Sequence, residues 1–158
     1  MKRLSRGVPG NPAGCRQNGE VNSRPELSAL LARLSPERVP GSFVFASVGF
    51  SESLKNVSPL ASVVEAEGLS VVLRREDADR LRLHYDFVAA WITLHVYSAL
   101  ETVGLTGAVA EALTESGISC NMIAGYHHDH VLVPEDRLGD ALARLKELSE
   151  SNARLLPR

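Results

Sequence analysis

Residues 105–124 read LTGAVAEALTESGISCNMIA. Leu105, Ala108, Val109, Ala112 and Leu113 recur at the spacing that lines one face of a helix, and Gly117 is the residue type that closes a helix through a left-handed turn. Ile118 to Ala124 then reads as a strand. The pattern is repeated. Sliding the chain so that Phe43-Val44-Phe45 meets Ile92-Thr93-Leu94 also brings Gly68-Leu69-Ser70 onto Gly117-Ile118-Ser119. In the earlier copy, Phe43 to Val48 has strand character, and Ser58-Pro59 suits the N-cap and first position of a helix. Leu60, Val63 and Val64 supply a helical stripe that Gly68 would end, and Leu69 to Leu73 reads as a buried strand.

Further on, Arg75-Glu76-Asp77 aligns with Pro134-Glu135-Asp136 if the second copy carries an insertion that includes a strand, His128 to Val133. A helix from Asp136 to Leu148 follows, with Leu138, Ala141, Leu142 and Leu145 on its apolar stripe and an Asp140–Arg144 pair on its polar side. Its counterpart in the first copy is the short segment Glu76 to Leu81. Tyr85 to Ala90 serves as the last strand of copy one and Trp91 to Tyr97 as the first of copy two. Ahead of the repeat, Leu27, Leu30, Leu31 and Leu34 form one stripe of a helix after Pro25-Glu26, ended by Pro36, Pro40 and Gly41. Two half-sized α+β units in tandem result, and the seam between them is expected to hold a pocket for a charged metabolite.

Composition narrows the function. Of 158 residues, 44% are hydrophobic and 5% aromatic, and the formal charge is −2. Lys2, Arg3, Arg6 and Arg16 stand in an N-terminal stretch without acids, so the remainder is acidic and offers neither a basic face nor an aromatic platform for nucleic acid. The apolar run Phe87 to Val96 is broken by Thr93 and His95 and falls short of a membrane span. Cys15 and Cys120 show no metal or disulfide spacing, which fits a reducing compartment, and the cytosol is expected. Residues 1–24 are too polar to repay their ordering entropy and read as a flexible basic leader. Ala13-Gly14-Cys15 has the look of a lipoprotein cleavage site but lacks the apolar stretch before it.

Catalysis is not expected. Ser119, Cys120 and Asp129 belong to no motif that would activate them, no phosphate-cradling glycine pattern is present, and no cofactor is called for. His127, His128, Asp129 and His130 form the most chemical-looking cluster. His128 and His130 share one face of a strand and could bind zinc, nickel or copper with a third donor from His84 or His95. Two imidazoles alone do not specify a site, and a hydrogen-bonded hairpin rim accounts for them as well.

The segments ITLHVYSALETVGLT (92–106) and GISCNMIAGYHHDHVLVP (117–134) resemble an uncharacterised bacterial family of tandem ACT-domain proteins, and the likeness covers about Glu26 to Leu148. The resemblance implies ferredoxin-like βαββαβ units, antiparallel sheets with helices on one face. It also implies free amino acids as allosteric effectors, as in the regulatory parts of aspartate kinases. It divides the chain into a leader (1–24), a degenerate first unit with its N-terminal helix (25–90), a second unit (91–150) and a tail (151–158). It places an effector on the turn Val103, Gly104, Leu105 and Thr106 and on the strand residues Asn121 and Met122. A zwitterion suits such a place, because free amides at a helix start attract a carboxylate and a side-chain carbonyl accepts from an ammonium. The corresponding loop of copy one, Gly49 to Val57, lacks Gly-Leu-Thr, so one site per chain or sites completed by dimerisation are expected. The partners implied are the amino acid itself and either further copies or a regulated protein. The rival readings are a ligand-free oligomerisation module and a metal-binding protein.

Overall fold

The structure, a computed structural model, describes residues 23–49, 54, 56–96 and 103–156. The leader through residue 22, the Ala13-Gly14-Cys15 site, most of the Gly49–Val57 loop and the Tyr97–Thr102 part of the family-like segment lie outside them. In chain order the elements are α1 (Ser23–Leu31), β1 (Ser35–Val48), β2 (Ala61–Glu65), β3 (Gly68–Arg74), α2 (Arg75–Leu81), β4 (Val88–His95), α3 (Leu105–Glu115), β5 (Asn121–Ala124), β6 (Asp129–Pro134) and, after one 3-10 turn, α4 (Leu138–Leu155).

The expected α+β class, antiparallel with helices on one face, is what forms, but the two sheets are one. All six strands belong to a single sheet in the order β2-β3-β1-β4-β6-β5, antiparallel at every contact. β1, β2, β3, α2 and β4 trace the first unit. β4, α3, β5, β6 and α4 trace the second, and its fourth strand position is filled by the first half of β1. One strand therefore replaces the two expected over Tyr85–Ala90 and Trp91–Tyr97. β4 ends one unit and begins the other.

β1 manages its two roles with a break in register. Ser35 to Val39 pairs with His95 to Trp91, the ladder slips at Pro40-Gly41-Ser42, and Phe43 and Val44 resume opposite Ala89 and Val88. From Phe43 to Val48 the other side of β1 pairs with β3. Pro36 is tolerated because β3 does not reach the first half of β1, where the strand runs along an edge.

Strand alternation then separates two cores. Ala90, Ile92, Leu94, Val131 and Val133 face α1, α3 and α4, among Leu31, Leu34, Leu105, Val109, Leu113, Ala141 and Leu145. Val44, Ala46, Val48, Val71 and Leu73 continue that face under Ala78 of α2. Phe43, Val72, Ala89, Trp91 and Leu132 form a second layer on the opposite side, with Trp91 edge-on to Phe43 at 5.4 Å. Among the described residues the two units thus meet through a continuous, packed ladder between β1 and β4, a single sheet in place of the twin lobes expected.

Three further expectations change. The proposed helix through Leu60, Val63 and Val64 is strand β2, paired from Ala61↔Val72 to Glu65↔Gly68. Apolar residues at these positions fit either period, and the adjacent β-branched valines favour the strand. Gly68 is then not a helix stop. Its φ of +153° and the 2.7 Å that would separate a Cβ from the Val48 carbonyl oxygen require glycine where β3 meets the end of β1. The Asp140–Arg144 pair is also replaced. Asp140 binds Arg137 at 3.0 Å, while Arg144 reaches Ala112 O at 3.1 Å and pairs with Glu115 and Glu147. A guanidinium at the C-terminal carbonyls of α3 gains more than an exposed pair within one helix. α4 also continues to Leu155, past the proposed tail boundary.

Truncating the fully buried Ile92 on shared strand β4 should be costly: Ile92→Ala is expected to lose about 2–5 kcal/mol in urea unfolding. Val64→Thr, at a side chain 74% exposed, should stay within about 0.5 kcal/mol of the parent.

Candidate functional site

The turn before α3 is built around Gly104, whose φ of +101° lies where residues with a Cβ are strained. Its carbonyl accepts from Ala108 N at 2.9 Å and so starts the helix. Gly104 at the N-cap has no side chain to cap the first turn and no acid lies within that turn, so the positive end of the helix dipole is not offset by a carboxylate of its own. Val103 is 70% exposed and Thr106 is exposed, whereas Leu105 turns into the core at 2%. Leu105 can serve a ligand only through its backbone.

α1 complicates this turn. A Cβ on Gly104 would stand 2.8 Å from Leu27 Cδ2, so the helix ahead of β1 sits directly against the loop. Leu27 is held there by the stripe expected from sequence, since Leu31 and Leu34 are buried with α3 and α4 and Ser149 Oγ donates to Ala32 O at 3.2 Å.

The strand residues divide. Met122 pairs with Val131 and packs half-buried on the helix-side core. Asn121 pairs with Leu132, so its exposed side chain lies on the opposite face of the sheet from α3. The Gly104 turn and the Asn121 side chain are therefore not brought together within one chain. Next to Asn121, burial pushes the Cys120 thiol above its ordinary range, which keeps it protonated and poorly nucleophilic.

The histidines gather on the helix-free face. His128 and His130 share it as expected, but they do not act as a pair. His130 Nδ1 lies 3.1 Å from Thr93 Oγ1 with its ring edge-on to Trp91 at 5.2 Å, while the His128 ring lies 4.8 Å from that of His95. His95 Nε2 in turn meets Glu37 Oε2 at 2.9 Å. Burial, and then repulsion from His128, hold the His130 imidazole below its ordinary pKa, with Asp129 opposing. Among the described residues no three His, Cys, Asp or Glu side chains are grouped to hold a metal ion.

Among the described residues, two open grooves lie elsewhere. One of about 510 Å³ runs between the start of β1 and α4, past Leu34, Pro36, Leu142 and Lys146. The other, of about 320 Å³, lies at the β1 bulge beside Arg74, Arg75, Glu76 and Asp79. Three of its charged groups are already engaged, Arg74 by Pro40 O at 3.1 Å, and Arg75 by the Tyr85 hydroxyl at 3.2 Å and by Asp79 at 3.8 Å. Sequence reading did not single out either groove, because both depend on which elements the fold brings side by side.

Gly104→Ala should lower unfolding stability by about 1–3 kcal/mol through backbone strain and the clash with Leu27. Leu27→Ala in the same chain should be non-additive with it, the double variant losing less than the two singles together, as denaturation of the four proteins would measure.

The comparisons agree with this geometry. One ACT-domain model matches residues 23–90 and another matches 87–147, overlapping at the start of the shared strand β4. A Vibrio cholerae protein of unknown function, described as a possible transport protein, is 41% identical, with a TM-score of 0.73 over 80% of this chain and 98% of its own. An Agrobacterium tumefaciens protein is 18% identical, with a TM-score of 0.59 over 74% of this chain and 90% of its own. The ligand-free regulatory subunit of aspartate kinase from Thermus thermophilus is 8% identical, with a TM-score of 0.51 over 72% of this chain and 95% of its own. These last two likenesses concern the fold alone. No curated protein matches. The two matched segments, the 41% identical relative and the paired ferredoxin-like units sharing β1 and β4 place this chain in the ACT-domain family, as a tandem pair of ACT units.

Proposed function

We propose that this chain is a non-catalytic regulatory protein of the cytosol that responds to a free amino acid bound at the start of α3. Membership of the ACT family supports a regulatory, ligand-binding role. The observation that carries the finer reading is the acid-free first turn of α3 behind the left-handed Gly104, an N-cap with no side chain of its own. There the amides of Leu105 and Thr106 take the α-carboxylate, while Val103 and the Thr106 hydroxyl form the rim. Met122 and Asn121 stand on the outermost strand of the sheet. Because the Asn121 side chain faces away from α3, its contribution is backbone from the open edge of β5, or comes from a second copy. The ligand acts by favouring whichever arrangement of α1 and of neighbouring copies closes on it.

Thr106→Asp gives a clean test. A carboxylate in the first turn favours the helix by about 0.3–1 kcal/mol through its dipole, yet competes with an anionic ligand for the same amides. The parent should show a thermal shift or calorimetric signal with at least one common amino acid at millimolar concentration. Thr106→Asp should keep or raise the melting temperature while weakening that response at least tenfold. Silence from every amino acid, or a response unchanged in the variant, would contradict the proposal.

One observation favours the second reading, oligomerisation without a ligand. β2 is an edge strand with Val63 62% and Val64 74% exposed beside Leu60. If this edge mediates assembly, Val63→Lys should reduce the mass seen by light scattering.

A further inference from the structure

His95 and His128 stand at the end of the β4–β6 ladder. Thr93 pairs with His130 and Leu94 with Asp129, so one more step puts His95 opposite His128 on the helix-free face. Three features of this pair point the same way. The Glu37 carboxylate can only accept, so the 2.9 Å contact with His95 Nε2 assigns the hydrogen to that nitrogen. In the neutral ring Nδ1 of His95 then carries the lone pair. Nδ1 of His128 is buried and has no hydrogen-bond partner among the described residues, a state that costs free energy unless something fills it. Lastly, two imidazoles on one tetrahedral ion, each with a metal–nitrogen bond of about 2.1 Å, hold their ring centres roughly 5 Å apart. These two stand 4.8 Å apart, tilted by 65°.

We propose that His95 and His128 form a two-imidazole site for a borderline divalent cation, zinc, nickel or copper, with Glu37 as the carboxylate that orients His95. A carboxylate on the far nitrogen of a metal-binding histidine fixes its tautomer and raises its basicity, which is the arrangement Glu37 supplies. The pairing differs from the one that spacing alone suggests. His130 is committed to Thr93 and Trp91, and the missing partner comes from the neighbouring strand. With two protein donors the remaining positions belong to water or a small ligand. Binding is therefore weaker than at a closed structural site.

The test uses the full-length protein without a polyhistidine tag, titrated separately with zinc, nickel and copper salts in a calorimeter. One equivalent per chain of at least one ion is expected to bind saturably. The His95→Ala and His128→Ala variants should each abolish it, and Glu37→Gln should weaken it by roughly tenfold or more. His127→Ala, on the exposed hairpin next to the pair, should bind as the parent does. Circular dichroism of each variant confirms the fold, and with cobalt the parent should give visible bands of tetrahedral coordination. No saturable binding of any of the three ions would overturn the proposal. So would binding that survives the double His95→Ala/His128→Ala variant or is lost equally in His127→Ala.

Discussion

The antiparallel ladder between β1 and β4 is the constraint on which the rest of the molecule depends. Each strand is used twice, β4 as the last of one ferredoxin-like unit and the first of the next, β1 as the first of one and the fourth position of the other. β1 keeps β4 as a neighbour on both sides of the slip at Pro40-Gly41-Ser42 and gains β3 on its other side only beyond it, from Phe43. A bulge bends and twists a strand locally, so one segment can run along the edge of β4 and then enter the interior beside β3. The α1 helix is a consequence. Because β1 closes the second unit, whatever precedes it is delivered onto the α3–α4 side, which is why Leu27 meets the Gly104 turn.

Much of the second unit was legible because its signals are local. The α3 stripe and its Gly117 stop need only period 3.6 and a left-handed cap, and Gly117 does adopt a φ of +64° with Ile118 N bonded back to Leu113 O at 3.0 Å. The first unit was less legible because its decisive facts are long-range. Pro36, Pro40 and Gly41 are breakers in any window, yet here they occupy the open edge and the bulge of a 14-residue strand. Leu60, Val63 and Val64 satisfy a helical template, and only pairing with β3 decides for a strand. The face of Asn121 depends likewise on its register against Leu132.

At the candidate effector turn, the sequence identified the glycine and the helix start but not the helix that lies on them. Under the proposed function a ligand at the α3 terminus would meet a loop already backed by Leu27, which would couple its binding to the seating of α1. The histidines repeat the lesson. Spacing along one strand paired His128 with His130, whereas the sheet pairs His128 with His95 and gives His130 to Thr93. Chemistry in a sheet is set across strands as much as along them.

A continuous sheet with shared central strands should not unfold one unit at a time, and native-state hydrogen exchange across the whole chain tests that directly. The account requires that protected amides of β1 and β3, such as Phe45 and Val72, open with the same free energy as those of β4 and β6, such as Ile92 and Val131, all matching global unfolding. Two separate classes, with one unit opening well below the other while the second stays closed, would show that the units are independent domains.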